Sequence, residues 1–132
     1  MAWSCPKCGR VLARRGAYHA CTGWSVDEHF ERCDPEVRAI FDAIVAAARA
    51  CGEVELTARK TRIGLRSRIT FGAVRVRRRY LLGHLLLRRR DGGRRWEKIE
   101  DGPPYWVHHF RMERAREVDG GFRALVREAY RS

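Results

Sequence analysis

With 132 residues, 45% hydrophobic and 33% charged, the chain has room for one ordinary domain plus a small appendage, too little for two normal domains, and too much apolar content for disorder. Its longest apolar run, Leu81 to Leu87, is broken by Gly83 and His84 and is far too short to span a bilayer. Met1 is followed by no apolar leader, so the expected setting is a reducing, bacterial-type cytoplasm with no membrane partner.

The first segment, residues 1–24, carries Cys5-Pro-Lys-Cys8 and then His19-Ala-Cys21. Two cysteines two apart let two thiolates meet one ion, and a His-x-Cys pair after a short hairpin completes a tetrahedron. Cys5, Cys8, His19 and Cys21 are therefore expected to hold a structural zinc, since three thiolates and one imidazole leave no open position for catalysis. His29 is the alternative ligand to His19. Disulfides are the competing use of these thiols, but five cysteines is an odd count. Cys33 and Cys51 read as small buried hydrophobes.

Residues 25–132 form the main domain. Asp34-Pro35-Glu36 is a helix start, with a capping carboxylate and proline in the first turn. Val37, Ile40, Phe41, Ile44, Val45 and Ala48 then recur at three and four, and Gly52 supplies the stop. From Glu53 the period changes to two, and Val54, Leu56 and Ala58 alternate with outward carboxylates. Ile69, Phe71 and Ala73 alternate in one phase and Val74 and Val76 in the other, which predicts a bulge near Gly72. Tyr80 to Leu87 is the most apolar strand and so the most central. Strands around Trp96–Ile99 and Tyr105–Met112 complete an antiparallel sheet of about five strands. Val118, Phe122, Leu125, Val126 and Ala129 predict a closing helix that Gly120-Gly121 frays before Phe122. The expected fold class is α+β: zinc bead, helix, sheet and helix, with both helices on one face of the sheet.

Net charge is +12 and unevenly spread. Residues 59–95 hold fourteen basic groups against Asp91 alone, whereas residues 25–58 are net acidic. Such a stripe attracts phosphate-rich polymers or anionic metabolites, although a merely solvated basic face is the plain alternative. Lys60, Arg62, Arg68, Arg77, Arg78 and Arg79 are its candidate anion ligands. The chain lacks a phosphate-binding glycine loop, a dinucleotide fingerprint, a His-Glu-x-x-His helix and a nucleophile elbow. If residues 60–71 lie beside the 105–112 strand, Lys60, Arg62, Arg68 and His108 converge where an anion could sit, or where a metal-independent hydrolase or nuclease could move a proton. His108 and His109 cannot both belong to one site without a bulge, and His108, sharing parity with Trp106 and Phe110, is the candidate. Trp96, Tyr105 and Trp106 near Arg94 and Arg95 could stack on bases or lie in the core.

The run Trp3-Ser-Cys-Pro-Lys-Cys8-Gly through Ala13-Arg14-Arg15 to His19-Ala-Cys21 resembles the opening of bacterial proteins in the family called domain of unknown function 5655. Pro35-Glu36-Val37-Arg38, Lys60-Thr61-Arg62-Ile63, Arg68-Ile69-Thr70-Phe71, Val107-His108-His109-Phe110-Arg111 and Arg127-Glu128-Ala129-Tyr130 are similar to its later blocks. Arg114 and Ala115 stand where similar proteins tend to have a Ser-Pro helix start. The resemblance implies a small α+β module, elsewhere fused to nuclease-like domains, with no characterised activity. Three readings follow: a module binding nucleic acid or another polyanion, a small hydrolase using His108 with Lys60 and Arg68, and a protein-interaction domain.

Overall fold

The computed structural model describes residues 3–4, 11–12, 15 and 24–131. Strands β1 (Trp3–Ser4) and β2 (Val11–Leu12) pair antiparallel, Trp3 opposite Leu12. The expected zinc ligands Cys5, Cys8, His19 and Cys21 lie outside the described residues.

Helix α1 spans Pro35–Arg49 and buries the predicted stripe from Val37 to Ala48. The capping differs in detail from expectation. Asp34 is extended and its carbonyl accepts from Val37 N at 2.9 Å, but its carboxylate makes no cap bond. Gly52 follows the helix at φ +153°, a backbone that side-chain-bearing residues avoid, and a Cβ there would collide with the Tyr130 hydroxyl. That hydroxyl donates to the Glu53 carbonyl at 3.0 Å, tying the end of the second helix to the start of the sheet.

Six strands, one more than expected, form a wholly antiparallel sheet: β3 (Glu55–Ala58), β4 (Ile63–Arg66), β5 (Thr70–Val76), β6 (Leu81–Leu87), β7 (Trp96–Glu100) and β8 (Trp106–Met112). Their order is β3-β4-β5-β6-β8-β7, which places β6 in the interior as its apolar sequence requires. The bulge lies where the change of phase puts it. Leu65 pairs with Gly72 and Arg66 with Thr70, so Phe71 is the extra residue, and it turns inward with no exposure.

Helix α2 (Gly120–Tyr130) starts earlier than the glycine pair suggests, because the Asp119 carboxylate accepts from Phe122 N at 2.9 Å. Both helices pack on one face, over Ile63, Leu65, Val74, Leu81, Leu85, Phe110 and Met112. Phe122 stands at the centre, edge-on to Phe110 at 5.0 Å and 6.3 Å from Trp96. Cys33 and Cys51 are free and half-buried, each thiol donating to a backbone carbonyl one turn back, at 3.3 and 3.8 Å.

Gly83 lies opposite Phe110 on the inner face, and a Cβ there would press on the Phe110 ring 2.5 Å away and on the Ala73 carbonyl 3.0 Å away. The ring is trapped against Phe122 and has nowhere to go. Gly83→Ala is therefore expected to destabilise the fold by about 1–3 kcal/mol, read as a lower urea midpoint at unchanged slope.

Candidate anion-binding face

The sheet's second face is not covered by either helix. Strand alternation assigns it Glu55 and Thr57 of β3, Gly64 and Arg66 of β4, Ala73 and Arg75 of β5, and His84 and His109 of β6 and β8. One row crosses the whole sheet: Thr57, Gly64, Ala73, His84, His109 and Lys98 are successive cross-strand partners. Its second and third members, Gly64 and Ala73, are the least bulky residues available. The row consequently sinks between Thr57 and His84, and a cleft of about 420 Å³ opens over Gly64 and Ala73, with Arg59, Arg62, Arg66 and Glu55 around it, Thr57 and Thr70 on its sides and His84 at one end.

His84 and His109 are neighbours, with ring centroids 5.6 Å apart. His109 Nε2 lies 3.0 Å from Glu100 Oε1, and Lys98 Nζ lies 3.4 Å from the same oxygen. Contacts from Lys98 and His109 hold the Glu100 carboxyl below its usual range. Burial pushes the His84 imidazole down to about 4, and the charges of His109, Arg62 and Arg75 add to the effect against the opposing pull of Glu100. His84 is thus an uncharged ring among guanidinium groups at neutral pH.

The residues nominated from sequence divide among three places. Lys60 and Arg62 lie in the turn between β3 and β4, and Arg62 lines the open-face cleft. Arg77, Arg78 and Arg79 form the β5–β6 turn at the same end of the sheet, where Arg77 and Arg78 share a second cleft with His29, Arg32 and Cys33. His29 Nε2 is buried there with no hydrogen-bond partner among the described residues. Arg68 sits at the opposite end, in the β4–β5 turn, beside Arg88, the α2 residues Arg127 and Glu128, and Arg131 just after the helix. The length of β4, on the order of 13 Å at the usual strand rise, separates Arg68 from Lys60.

His108 is on the other face altogether. It has no exposure, its Nε2 accepts from Asp91 N at 2.9 Å, and its Nδ1 is 2.8 Å from the Trp106 carbonyl. That bonding places the proton on Nδ1 and occupies both nitrogens. The sequence expectation of Lys60, Arg68 and His108 around one anion is not what the fold assembles. Trp96 packs edge-on to His108 at 4.9 Å and also faces the helices. Asp91, which burial alone would raise, is held below its ordinary value by bonds from Trp96, Gly93 and Arg89. Sequence reasoning missed His84, His109 and the Gly64–Ala73 floor.

Pairing divides the arginines further. Arg89 is bidentate to Glu128 at 3.0 and 2.9 Å, Arg90 meets Asp101 at 2.7 Å, and Arg95 meets Asp119 at 3.3 Å. Arg66 reaches Glu55 only at 3.9 Å. Among the described residues, Arg59, Lys60, Arg62, Arg75, Arg77, Arg78 and Arg79 make no ion pair, and no group of three or more metal-ligating side chains is arranged for an ion. Nor is any helix among the described residues long and apolar enough to cross a membrane.

Fold and surface together define a basic α+β domain whose sheet is covered on one side and cationic on the other. The family described as a domain of unknown function, DUF5655, matches residues 26–132, and the chain belongs to that family. Comparison with curated proteins and with solved structures found no match.

His84 fixes a pH dependence. The unfolded imidazole takes its proton near pH 6.5 and the folded one near 4, so as pH falls between these values the unfolded chain binds more protons and stability is lost. Allowing for partial solvent screening, the loss is about 2–3 kcal/mol. Unfolding titrations at stepped pH are expected to show that decline, and His84→Gln to flatten it. His108→Ala should cost about 1–3 kcal/mol by stranding the Asp91 amide, read as a lower urea midpoint.

Proposed function

We propose that the domain binds nucleic acid, or another phosphate-bearing polyanion, through the end of the sheet that carries the β3–β4 and β5–β6 turns and through the open face between them. The carrying observation is the sorting of charge. Arg59, Lys60, Arg62, Arg77, Arg78 and Arg79 at this end make no ion pair among the described residues, while three of the five arginines of the β6–β7 loop, Arg89, Arg90 and Arg95, are neutralised by Glu128, Asp101 and Asp119. Unpaired guanidinium groups on one surface raise the local potential and exchange small counterions for phosphates.

The chemistry favours backbone over bases. Tyr80 in the β5–β6 turn and the exposed Trp24 beside Lys60 lie at this end, but among the described residues no Trp, Tyr or Phe occupies an outward strand position on the open face, so there guanidinium–phosphate contact leads. Such contact positions a strand without reading its sequence.

We also propose that the N-terminal segment is a structural zinc bead held by Cys5, Cys8, His19 and Cys21, with His29 as the alternative to His19. The ligand spacing supports this, as do the β1–β2 ladder that brackets Cys5 and Cys8 in the chain and the unpartnered Nε2 of His29. Free thiols at Cys33 and Cys51 fit a reducing cytoplasm.

Retention of the intact chain on immobilised single-stranded DNA should fall steeply with salt, with a log–log slope of about 0.7 per phosphate engaged. Replacing Arg77, Arg78 and Arg79 together by Ala should lower that slope by about 2, whereas the Arg89→Ala, Arg90→Ala pair should leave it unchanged. Retention indifferent to the first set, or equally sensitive to the second, would refute the reading. Elemental analysis should find about one zinc per chain, lost in Cys5→Ser.

A further inference from the structure

The cleft over Gly64 and Ala73 has properties that a general cationic surface does not need. It is a notch rather than a flat patch, because two adjacent strands place their least bulky side chains in the same row between Thr57 and His84. Its volume of about 420 Å³ lies within the range of small-ligand sites. Three guanidinium groups and one carboxylate line it, and the adjoining imidazole is uncharged, which leaves a local charge of +2. Two hydroxyls complete the donor set.

We infer that this cleft is a subsite for a terminal phosphate, a monoester dianion seated over Gly64 and Ala73 between Arg59, Arg62 and Arg66. The charge is the first argument. A phosphodiester within a strand carries one negative charge and would leave the cleft half compensated, while a monoester near neutral pH carries close to two. Shape is the second. A continuing strand lies across a surface, and a notch with a floor of Gly and Ala admits an end. Geometry of the donors is the third, since guanidinium forks and threonine hydroxyls suit the three free oxygens of a monoester. Glu55 does not block the seat, because it reaches Arg66 only at 3.9 Å and leaves that fork with N–H groups to spare.

A dianion there also changes His84. Burial is the first cause of its low proton affinity, and the charged groups that act on the ring are His109 on β8, Arg62 in the β3–β4 turn, Glu100 on β7 and Arg75 on β5. A bound phosphate opposes the cationic part of that effect and raises the proton affinity of the imidazole, so binding and protonation reinforce each other. The chemistry is shared by the 5′-phosphate of a nucleic-acid strand and by a free nucleotide or phosphate. This subsite deepens the polyanion reading above, and its test separates the two.

The full chain would be titrated with inorganic phosphate and followed by NMR. Amide shifts are expected at Thr57, Gly64 and Ala73, together with an upward move of the His84 titration by about one pH unit or more. Gly64→Val is the blocking variant. An ideal Cβ at Gly64 meets nothing nearer than Thr70 Cγ2 at 3.5 Å, so Gly64→Ala fits and Val adds bulk to the floor. Affinity should fall at least about tenfold in Val and less in Ala, with circular dichroism and unfolding midpoint verifying the fold, an effect of about 1.4 kcal/mol. A 5′-phosphorylated octanucleotide binding about tenfold tighter than its 5′-hydroxyl twin assigns the site to strand ends. Inorganic phosphate or a mononucleotide binding as tightly as the phosphorylated strand assigns it to a small metabolite. The subsite is overturned by phosphate that moves none of these resonances at about 10 mM or by Gly64→Val with unchanged affinity, and two octanucleotides that bind equally well exclude strand ends as its ligand and leave only the small-metabolite assignment. Phosphate binding kept while both octanucleotides fail would remove the polyanion reading and leave the subsite standing.

Discussion

The seat of Phe110 between Gly83 and Phe122 determines what every residue of the last strand does. The ring is almost wholly buried, lies 5.0 Å from the Phe122 ring, and occupies space that exists only because Gly83 opposite it has no side chain. A slip of β8 by one residue would bring His109 or Arg111 into that space and eject Phe110, exchanging a favourable burial for a buried polar or charged group without a partner. Register is therefore set by packing. It puts His108 inside, where Asp91 and Trp106 satisfy it, and His109 outside beside Glu100 and His84.

The same parity governs the charges. The β6–β7 loop returns across the inner side, where Asp91 meets His108 and Trp96, and there Arg89 and Arg95 find acidic partners on or next to α2. On the open face Arg66 reaches Glu55 only at 3.9 Å and Arg111 meets Glu113, while Arg75 and the arginines in the turns at the far end meet no acidic partner among the described residues. Crowding like charges works against folding. Its local trace is His84, denied its proton in part by Arg62 and Arg75.

Much of this was legible in the chain, and the failures have physical causes. Both helices, their buried stripes and the bulge at Phe71 follow from periodicity, because each stripe is long and its partner surface continuous. Strand β4 was hidden because Ile63-Gly64-Leu65-Arg66 is four residues with one glycine in a charged stretch, too short for alternation to be read. His84 was hidden for the opposite reason. Leu81 to Leu87 is apolar in both phases, so its parity is decided only by pairing with β5 and β8. His108 was chosen for sharing parity with Trp106 and Phe110, and that parity is the core's. The basic stripe was visible as a sum, but its division between two ends of the sheet depends on a topology that composition does not encode.

The glycines of the sheet show where packing alone stops explaining the sequence. Glycine in a strand interior costs about 0.5–1 kcal/mol relative to alanine, so each one requires a reason. At Gly83 the reason is the Phe110 ring, and at Gly72 it is the His84 carbonyl, 2.8 Å from where a Cβ would stand. Gly64 has no such neighbour, since a Cβ there would make only ordinary contacts at 3.5 Å and beyond. A larger residue would have covered Thr57 and Ala73 and strengthened the pairing of β4, which at four residues has little to spare. Local preference and observed residue conflict at this one position, on the uncovered face, at the floor of a cleft rimmed by guanidinium groups. Such conflicts gather where a surface is shaped for something other than its own folding, and the space kept open above Gly64 is the size and charge of a ligand.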